Sequence, residues 1–302
     1  MSVLDELPPG ARILILRLRS LGDSVLSTPA IEILKRARPD CSLAVAVEPC
    51  FADVFHGNPN VHTVLPPAAG PVTKFSPHLC INFHGGTRSM ALTAFSRARR
   101  RAGFAHHRGA WIYNLRIPTA QEILGLDRKV HTAEHLASAI FWLGAPRQEI
   151  PRASLFAAAA PAAGPYAVIH PMASTPEKTW PAGRFLEVAR HLQQQAGIDP
   201  VFIAAAGQDL SAFASYRCIT GAPLRQVMSL LAGASLFLGN DSGPAHMAAA
   251  FGLPVLVLFG SSDPVVWAPW KTVAETFVAP DSIANIGTGQ VLAALDRLRV
   301  KA

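Results

Sequence analysis

Apolar and polar positions along this chain change period repeatedly, from alternating or continuous apolar runs to helical spacing, which predicts short strands interleaved with helices. Ile13–Leu18 (ILILRL) reads as a strand, and Asp23–Arg38 has helical spacing with Ile31, Leu34 and Ala37 on one side. Ser42–Val47 and His78–Phe83 read as further strands, and Ala133–Leu143 as an amphipathic helix. Small residues and prolines then break the pattern at 157–165 (AAAAPAAGP), as an interdomain linker would. After it the alternation restarts: Tyr166–His170 strand, Pro181–Gln195 helix, Pro200–Ala205 strand, Pro223–Leu231 helix. Ser235–Leu238, Pro244–Phe251 and Pro254–Phe259 continue the series, and Gly289–Arg299 closes it as a helix. Such alternation argues for parallel sheets covered on both faces. Two runs joined at a linker predict an α/β protein of two Rossmann-like, doubly wound domains facing a cleft, residues 1–158 and 159–302.

Composition narrows the class. Half of the 302 residues are hydrophobic and 16% are charged, which suits filled cores and excludes global disorder. Charged or turn residues interrupt every apolar run short of the ~20 residues of a membrane span. The first residues lack the basic, apolar and small-residue sequence of a secretory leader, and the four scattered cysteines form no CxxC pair. A reducing cytoplasmic setting is therefore expected. The net charge of +7 points to an anionic partner, and the densest basic run is residues 96–111 (SRARRRAGFAHHRGAW). Nucleic acid, an anionic membrane surface and a phosphorylated small molecule all satisfy charge alone.

Ligands of open parallel sheets bind beyond the carboxyl ends of the strands, near helix N-termini, and three such turns carry surplus polar residues. In RLRSLGDSVLSTP (17–29), Gly22 would allow a tight turn and Asp23 would open the helix, either as a cap or as a general base. Pro29 predicts a kink unless it falls in a first helical turn. In HPMASTPEKTWP (170–181), Ser174 and Thr175 offer hydroxyls and amides, and Lys178 a cation whose loop Trp180-Pro181 would fix. In GNDSGPAH (239–246), Gly243 and Pro244 would start a helix whose Ser242, Gly243, Ala245 and His246 amides lack partners, a ready anion site. Capping by Asp241 or Ser242 explains one residue of that set and leaves the others.

These three segments, extended to RLRSLGDSVLSTPAIEILKRARPD, HPMASTPEKTWPAGRF and FLGNDSGPAHMAAAFGLPVLVLFGSSDP, together resemble glycosyltransferase family 9, the ADP-heptose:lipopolysaccharide heptosyltransferases. The likeness runs in order from Arg12 to about Trp270. It implies a GT-B fold and inverting transfer from a nucleotide sugar, most often ADP-heptose, without a metal or other cofactor. By the same resemblance Asp23 is the catalytic base, and Lys178, Ser174 and Thr175 form the donor phosphate loop. Asp241, Ser242, Gly243 and His246 form the diphosphate motif. Met172 departs from the glycine common in the family. The ribose-gripping acid is expected after the Pro200–Ala205 strand, where only Gln208 and Asp209 stand.

INFHGGTRS (81–89) resembles the acceptor-side loop and offers Gly85, Thr87 and Arg88 beside Gly22. Arg88, Arg97, Arg99, Arg100, Arg101 and Arg108 form a basic cluster suited to an anionic glycolipid acceptor at the inner face of a membrane, where a monomeric, peripheral enzyme would meet it. HTAEH (131–135) formally matches a zinc-protease helix but lacks a third ligand, so His131 is expected on the acceptor side instead. No nucleic-acid-binding signature accompanies the charge, and a sugar-binding relative without catalysis is the other reading.

Overall fold

A computed structural model describes residues 2–301, with side chains characterised for 2–298. The chain divides into two units, residues 1–156 and 157–302. The first begins with β1 (Arg12–Leu16), α1 (Leu21–Leu26), α2 (Thr28–Ala37), β2 (Ser42–Ala46), β3 (Thr63–Leu65) and α3 (Ala69–Phe75). It continues with β4 (Leu79–Asn82), α4 (Thr87–Phe95), β5 (Arg100–Phe104), β6 (Leu115–Ile117), α5 (Ala120–Leu124) and α6 (Thr132–Leu143). Its six strands are all parallel, in the order β3-β2-β1-β4-β5-β6.

The second unit holds β7 (Tyr166–His170), α7 (Ala182–Ala196), β8 (Asp199–Ala204), β9 (Arg217–Thr220), α8 (Leu224–Ala232) and β10 (Leu236–Asn240). α9 (Gly243–Ala250), β11 (Val255–Phe259), α10 (Pro264–Trp267), β12 (Ala274–Val278) and α11 (Thr288–Lys301) complete it. Its parallel order, β12-β11-β10-β7-β8-β9, repeats the first. In each sheet the order reverses beside the first strand, between β1 and β4 and between β7 and β10. Crevices open at those reversals, because neighbouring loops there turn to opposite faces.

The central strands are the continuous apolar runs of the sequence. β7, β10 and β11 are buried along their whole length, as a sheet covered on both faces demands. Their side chains pack with Trp180, Phe185, Leu192 and Leu295 into the core of the second unit. The edges read differently: β9 is mostly exposed and β12 alternates exposed with half-buried residues. No described helix is long and apolar enough to cross a membrane.

Two expectations change. The single helix predicted over Asp23–Arg38 is two, α1 and α2, which meet at Ser27. The Ser27 and Thr28 hydroxyls donate to the carbonyls of Ser24 (2.7 Å) and Val25 (2.8 Å), and Pro29 lies in the first turn of α2, where its missing N–H costs little. Gly22 does not make the turn; it is buried within α1, which begins at Leu21. The chain bends at Arg19 instead.

Candidate functional site

In the first unit, α1 follows β1 at the sheet reversal and carries Asp23 in its first turn. Ser20 precedes the helix without capping its amides; its hydroxyl donates to an Asp23 oxygen at 3.1 Å. The other oxygen pairs with the Arg17 guanidinium, which also donates to the Phe83 carbonyl at 2.7 Å. Arg17 is buried, and that burial pushes its pKa down while Asp23 holds it up. Asp23 keeps 21% side-chain exposure, so the carboxylate is aimed by two fixed donors yet open on one side. Its two oxygens meet the Ser20 hydroxyl and the Arg17 guanidinium rather than the amides that open α1.

Across the reversal lies the loop after β4. Asn82, fully buried, accepts from the His84 and Gly85 amides at 3.0 Å each, and its amide donates to Ser89, Thr93 and Tyr113. Gly85 has φ +74°, and a Cβ there would lie 2.5 Å from His107. Thr87 and Arg88 open α4, both exposed; Arg88 pairs with Glu48 and donates to the Pro67 carbonyl at 2.9 Å. Burial and the Arg17 and Arg19 charges push the His84 pKa down, and burial with His106 brings His107 to about 4. The rim beside Asp23 is therefore cationic through arginine, while His107 stays neutral at pH 7.

The basic cluster read from sequence separates in space. Arg100 and Arg101 open β5 at the amino end of the parallel sheet, with Arg100 paired to Glu6 and Arg101 donating to the Ile112 carbonyl at 3.0 Å. Arg88 and Arg108 follow the carboxyl ends of β4 and β5. These arginines are close in sequence because the five-residue strand β5 crosses the sheet from its amino to its carboxyl end within a few residues. His131 is buried at the start of α6, where its Nδ1 accepts from the Ala133 amide at 3.1 Å. The Glu134 carboxylate closes the cap on the His131 amide and pairs with Arg128, so HTAEH is a capping box. His135 stacks on Phe104 at 3.9 Å. Among the described residues no group of three or more His, Cys, Asp or Glu could hold a metal ion.

In the second unit the loops after β7 and β10 are stapled together by Asn240, fully buried at the end of β10. Its oxygen accepts the Trp180 backbone N–H at 3.1 Å, and its amide donates to the Pro171 carbonyl at 2.9 Å. Trp180 is itself buried, with its indole N–H on the Ile286 carbonyl at 2.9 Å. Both ends of the 171–180 loop are thus fixed, while Ser174 and Thr175 at its tip are exposed and Lys178 ends a short 3-10 turn. Gly260, after β11, lets the chain pass close: a Cβ there would lie 2.8 Å from the Glu177 carbonyl.

Ser242 caps α9 by position only; its hydroxyl lies 3.1 Å from His170 Nδ1 and makes no cap bond. The Ser242 and Gly243 N–H groups have no acceptor among the described residues. The Ala245 amide, expected to be available, donates to the Ser242 carbonyl at 3.1 Å, because α9 tightens at its start. Burial raises the Asp241 pKa, and Ser262 and the nearby Lys178 charge pull it back in part. His170 is held neutral by burial, its pKa near 4. His246 is buried on α9 with Trp267 across from it, ring centroids 6.5 Å apart. Lys178, Asp241 and two open amides therefore converge where β7 and β10 part, a cradle for a negatively charged group.

The sequence profile of glycosyltransferase family 9 (heptosyltransferase) matches residues 78–285, well over half of the chain. This chain belongs to glycosyltransferase family 9. It is 34% identical over 115 residues to lipopolysaccharide heptosyltransferase 3 of Escherichia coli (strain K12), which covers 35% of this chain and 33% of that protein. The match thus spans about a third of that curated relative's length. Over nearly full length it superposes on the family 9 glycosyltransferase of Veillonella parvula, with TM-score 0.83, 19% identity, and 97% and 98% of the two chains covered. E. coli ADP-heptose lps heptosyltransferase II superposes with TM-score 0.81, 19% identity, and 96% and 99% covered. The fold is that of GT-B glycosyltransferases.

Within this family member, Gln208 and Asp209 do follow β8, yet both side chains are engaged locally. Gln208 accepts from the Ala205 amide at 2.8 Å, and Asp209 accepts from the Ser211 amide and hydroxyl, each at 2.8 Å. Arg17, Asn82, His170, Asn240 and Gly260 were not singled out from sequence as site residues. A buried polar residue ending an apolar strand, as in HLCIN and LFLGN, is the signal that marks the two asparagines.

Proposed function

We propose that this family 9 member transfers a heptose from ADP-heptose to a sugar of a lipopolysaccharide core, inverting the anomeric centre and needing no metal. The observation that carries the reading is the convergence of Lys178, Asp241 and the open Ser242 and Gly243 amides at the reversal of the second sheet. The E. coli structure of the same fold is named for ADP-heptose, and the E. coli relative for lipopolysaccharide. On this reading the second unit carries the donor and the first the acceptor.

Asp23 takes the proton of the acceptor hydroxyl while that oxygen attacks the anomeric carbon. The new C–O bond forms as the bond to the β-phosphate oxygen breaks from the opposite face, and ADP leaves with the electron pair. Lys178 and the α9 amides receive the growing charge, with Ser174 and Thr175 closing over the phosphates and His246 and Asp241 lining the pocket. Such preorganised donors do the work a divalent ion does elsewhere. The ribose would lie over the loop after β8, and Gln208 or Asp209 must leave its local turn to touch it. Gly85, Thr87, Arg88 and Arg108 would meet an anionic acceptor.

A thermal-shift comparison of ADP, UDP, GDP and dTDP tests the donor, followed by turnover of the matching sugar nucleotide with EDTA present. ADP should stabilise most and ADP-heptose should turn over undiminished. Preference for UDP overturns the heptosyl donor, and activity lost on chelation and restored by a divalent ion overturns the metal-free mechanism.

A further inference from the structure

The positive charge of this protein is not spread over it. Between Asp53 and Glu122 there is no acidic residue, while eight Lys or Arg fall in that stretch. The remainder carries 19 basic and 20 acidic residues, so the whole net charge of +7 resides there. The same stretch holds the two most exposed large apolar side chains among the described residues, Trp111 at 79% and Phe95 at 54%.

They share one surface. α4 packs against the 3-10 turn Ala110–Ile112, and a Cβ on Gly109 would touch Met90 Sδ at 2.7 Å and Trp111 Nε1 at 3.7 Å. Met90 and Ala94, one helical turn apart, line that side of α4 with Ala91 and Phe95, the last three exposed. Arginines bracket this strip: Arg88 and Arg108 at one end, Arg97 and Arg99 at the other, all exposed. The strip starts at the Gly86–Thr87 end of α4, beside the loop that fronts Asp23.

We propose that the outward face of α4 and the Ala110–Ile112 turn is a docking surface for an anionic lipid bilayer. An indole and a phenyl ring flanked by arginines fit the interface region of a membrane, with rings among acyl chains and guanidinium groups at headgroup phosphates. A second copy of the chain fits poorly, because pairing this face with itself would bring the arginines together. A nucleic acid would find alanines and methionine where base edges need donors. The inference deepens the heptosyl-transfer reading and rests on it for the acceptor's place in a membrane, but vesicle binding is measured without donor or turnover.

The test is co-sedimentation of the full-length protein with vesicles of equimolar phosphatidylethanolamine and phosphatidylglycerol, against pure phosphatidylcholine. Binding should be selective for the anionic vesicles, fall with added salt, and blue-shift tryptophan emission by a component absent from Trp111→Phe. Trp111→Ser with Phe95→Ser should weaken vesicle affinity at least about tenfold, ~1.4 kcal/mol, while ADP affinity is unchanged. Both positions are exposed, so folding is retained and is checked by the ADP measurement. Equal binding by the double variant, equal binding to neutral vesicles, aromatic-dependent self-association in solution, or RNA outcompeting vesicles would each overturn the proposal. Vesicle binding without any ADP binding would leave it standing and remove the transferase reading instead.

Discussion

Asn240→Ala removes one side chain that holds both ends of the 171–180 loop. Asn240 is fully buried and contributes the acceptor for the Trp180 amide (3.1 Å) and the donor for the Pro171 carbonyl (2.9 Å). Both bonds are buried, so truncation leaves the Trp180 N–H and the Pro171 carbonyl without their partner. Each buried group left unsatisfied costs ~1–3 kcal/mol, so the pair with partial relaxation comes to about 2–5 kcal/mol. A domain of roughly 150 residues loses ~2–4 °C of Tm per kcal/mol, which predicts a fall of about 5–15 °C for the second unit. The loop it staples carries Ser174, Thr175 and Lys178, so ADP affinity should fall as well. Calorimetric melting gives the first quantity and titration calorimetry with ADP the second. Lys178→Ala is the control: half-buried at the loop, it should weaken ADP while leaving Tm within ~2 °C. If Asn240→Ala melts within about 2 °C of wild type and binds ADP normally, the stapling argument is wrong.

Two further outcomes follow from the geometry. Asp23→Asn keeps the shape and a partner for Ser20 but removes the proposed base, so turnover should drop ~10²–10⁴-fold with ADP affinity intact; retained turnover would place the base elsewhere. His170 and His135, both near pKa 4 through burial, bind fewer protons folded than the unfolded value of ~6.5 dictates. Their stabilising contribution is complete above about pH 6.5 and is lost as pH falls toward 4, by ~3 kcal/mol for His170 alone. Urea midpoints should therefore decline over that window, and less in His170→Gln; a flat wild-type profile would contradict the burial argument.

The sequence by itself determined the alternation of elements, the continuous apolar strands β1, β4, β7, β10 and β11, and the turns that follow them. It did so because period and apolar content are local properties, and because Gly, Pro and Asp at strand ends have few other uses. The short edge strands β3, β6, β9 and β12 were not legible, since an edge strand buries little and its pattern resembles a loop. HTAEH shows the limit from the other side: two histidines one turn apart are equally compatible with a metal and with a cap, and only the Ala133 and Arg128 contacts decided it.

Tertiary structure alone decided which turns belong together. Strand order put β1 beside β4 and β7 beside β10, and so brought Arg17 to Phe83 and Asn240 to Pro171 and Trp180, pairs about 60 or more residues apart. It also split the arginine run between opposite ends of one sheet. GNDSGPAH shows both contributions in one stretch: its glycine, proline and serine mark a helix start on sight. Its asparagine, however, has a reason only once the sheet has carried another loop within hydrogen-bonding distance, because a buried amide is tolerable solely where partners far away in sequence meet it.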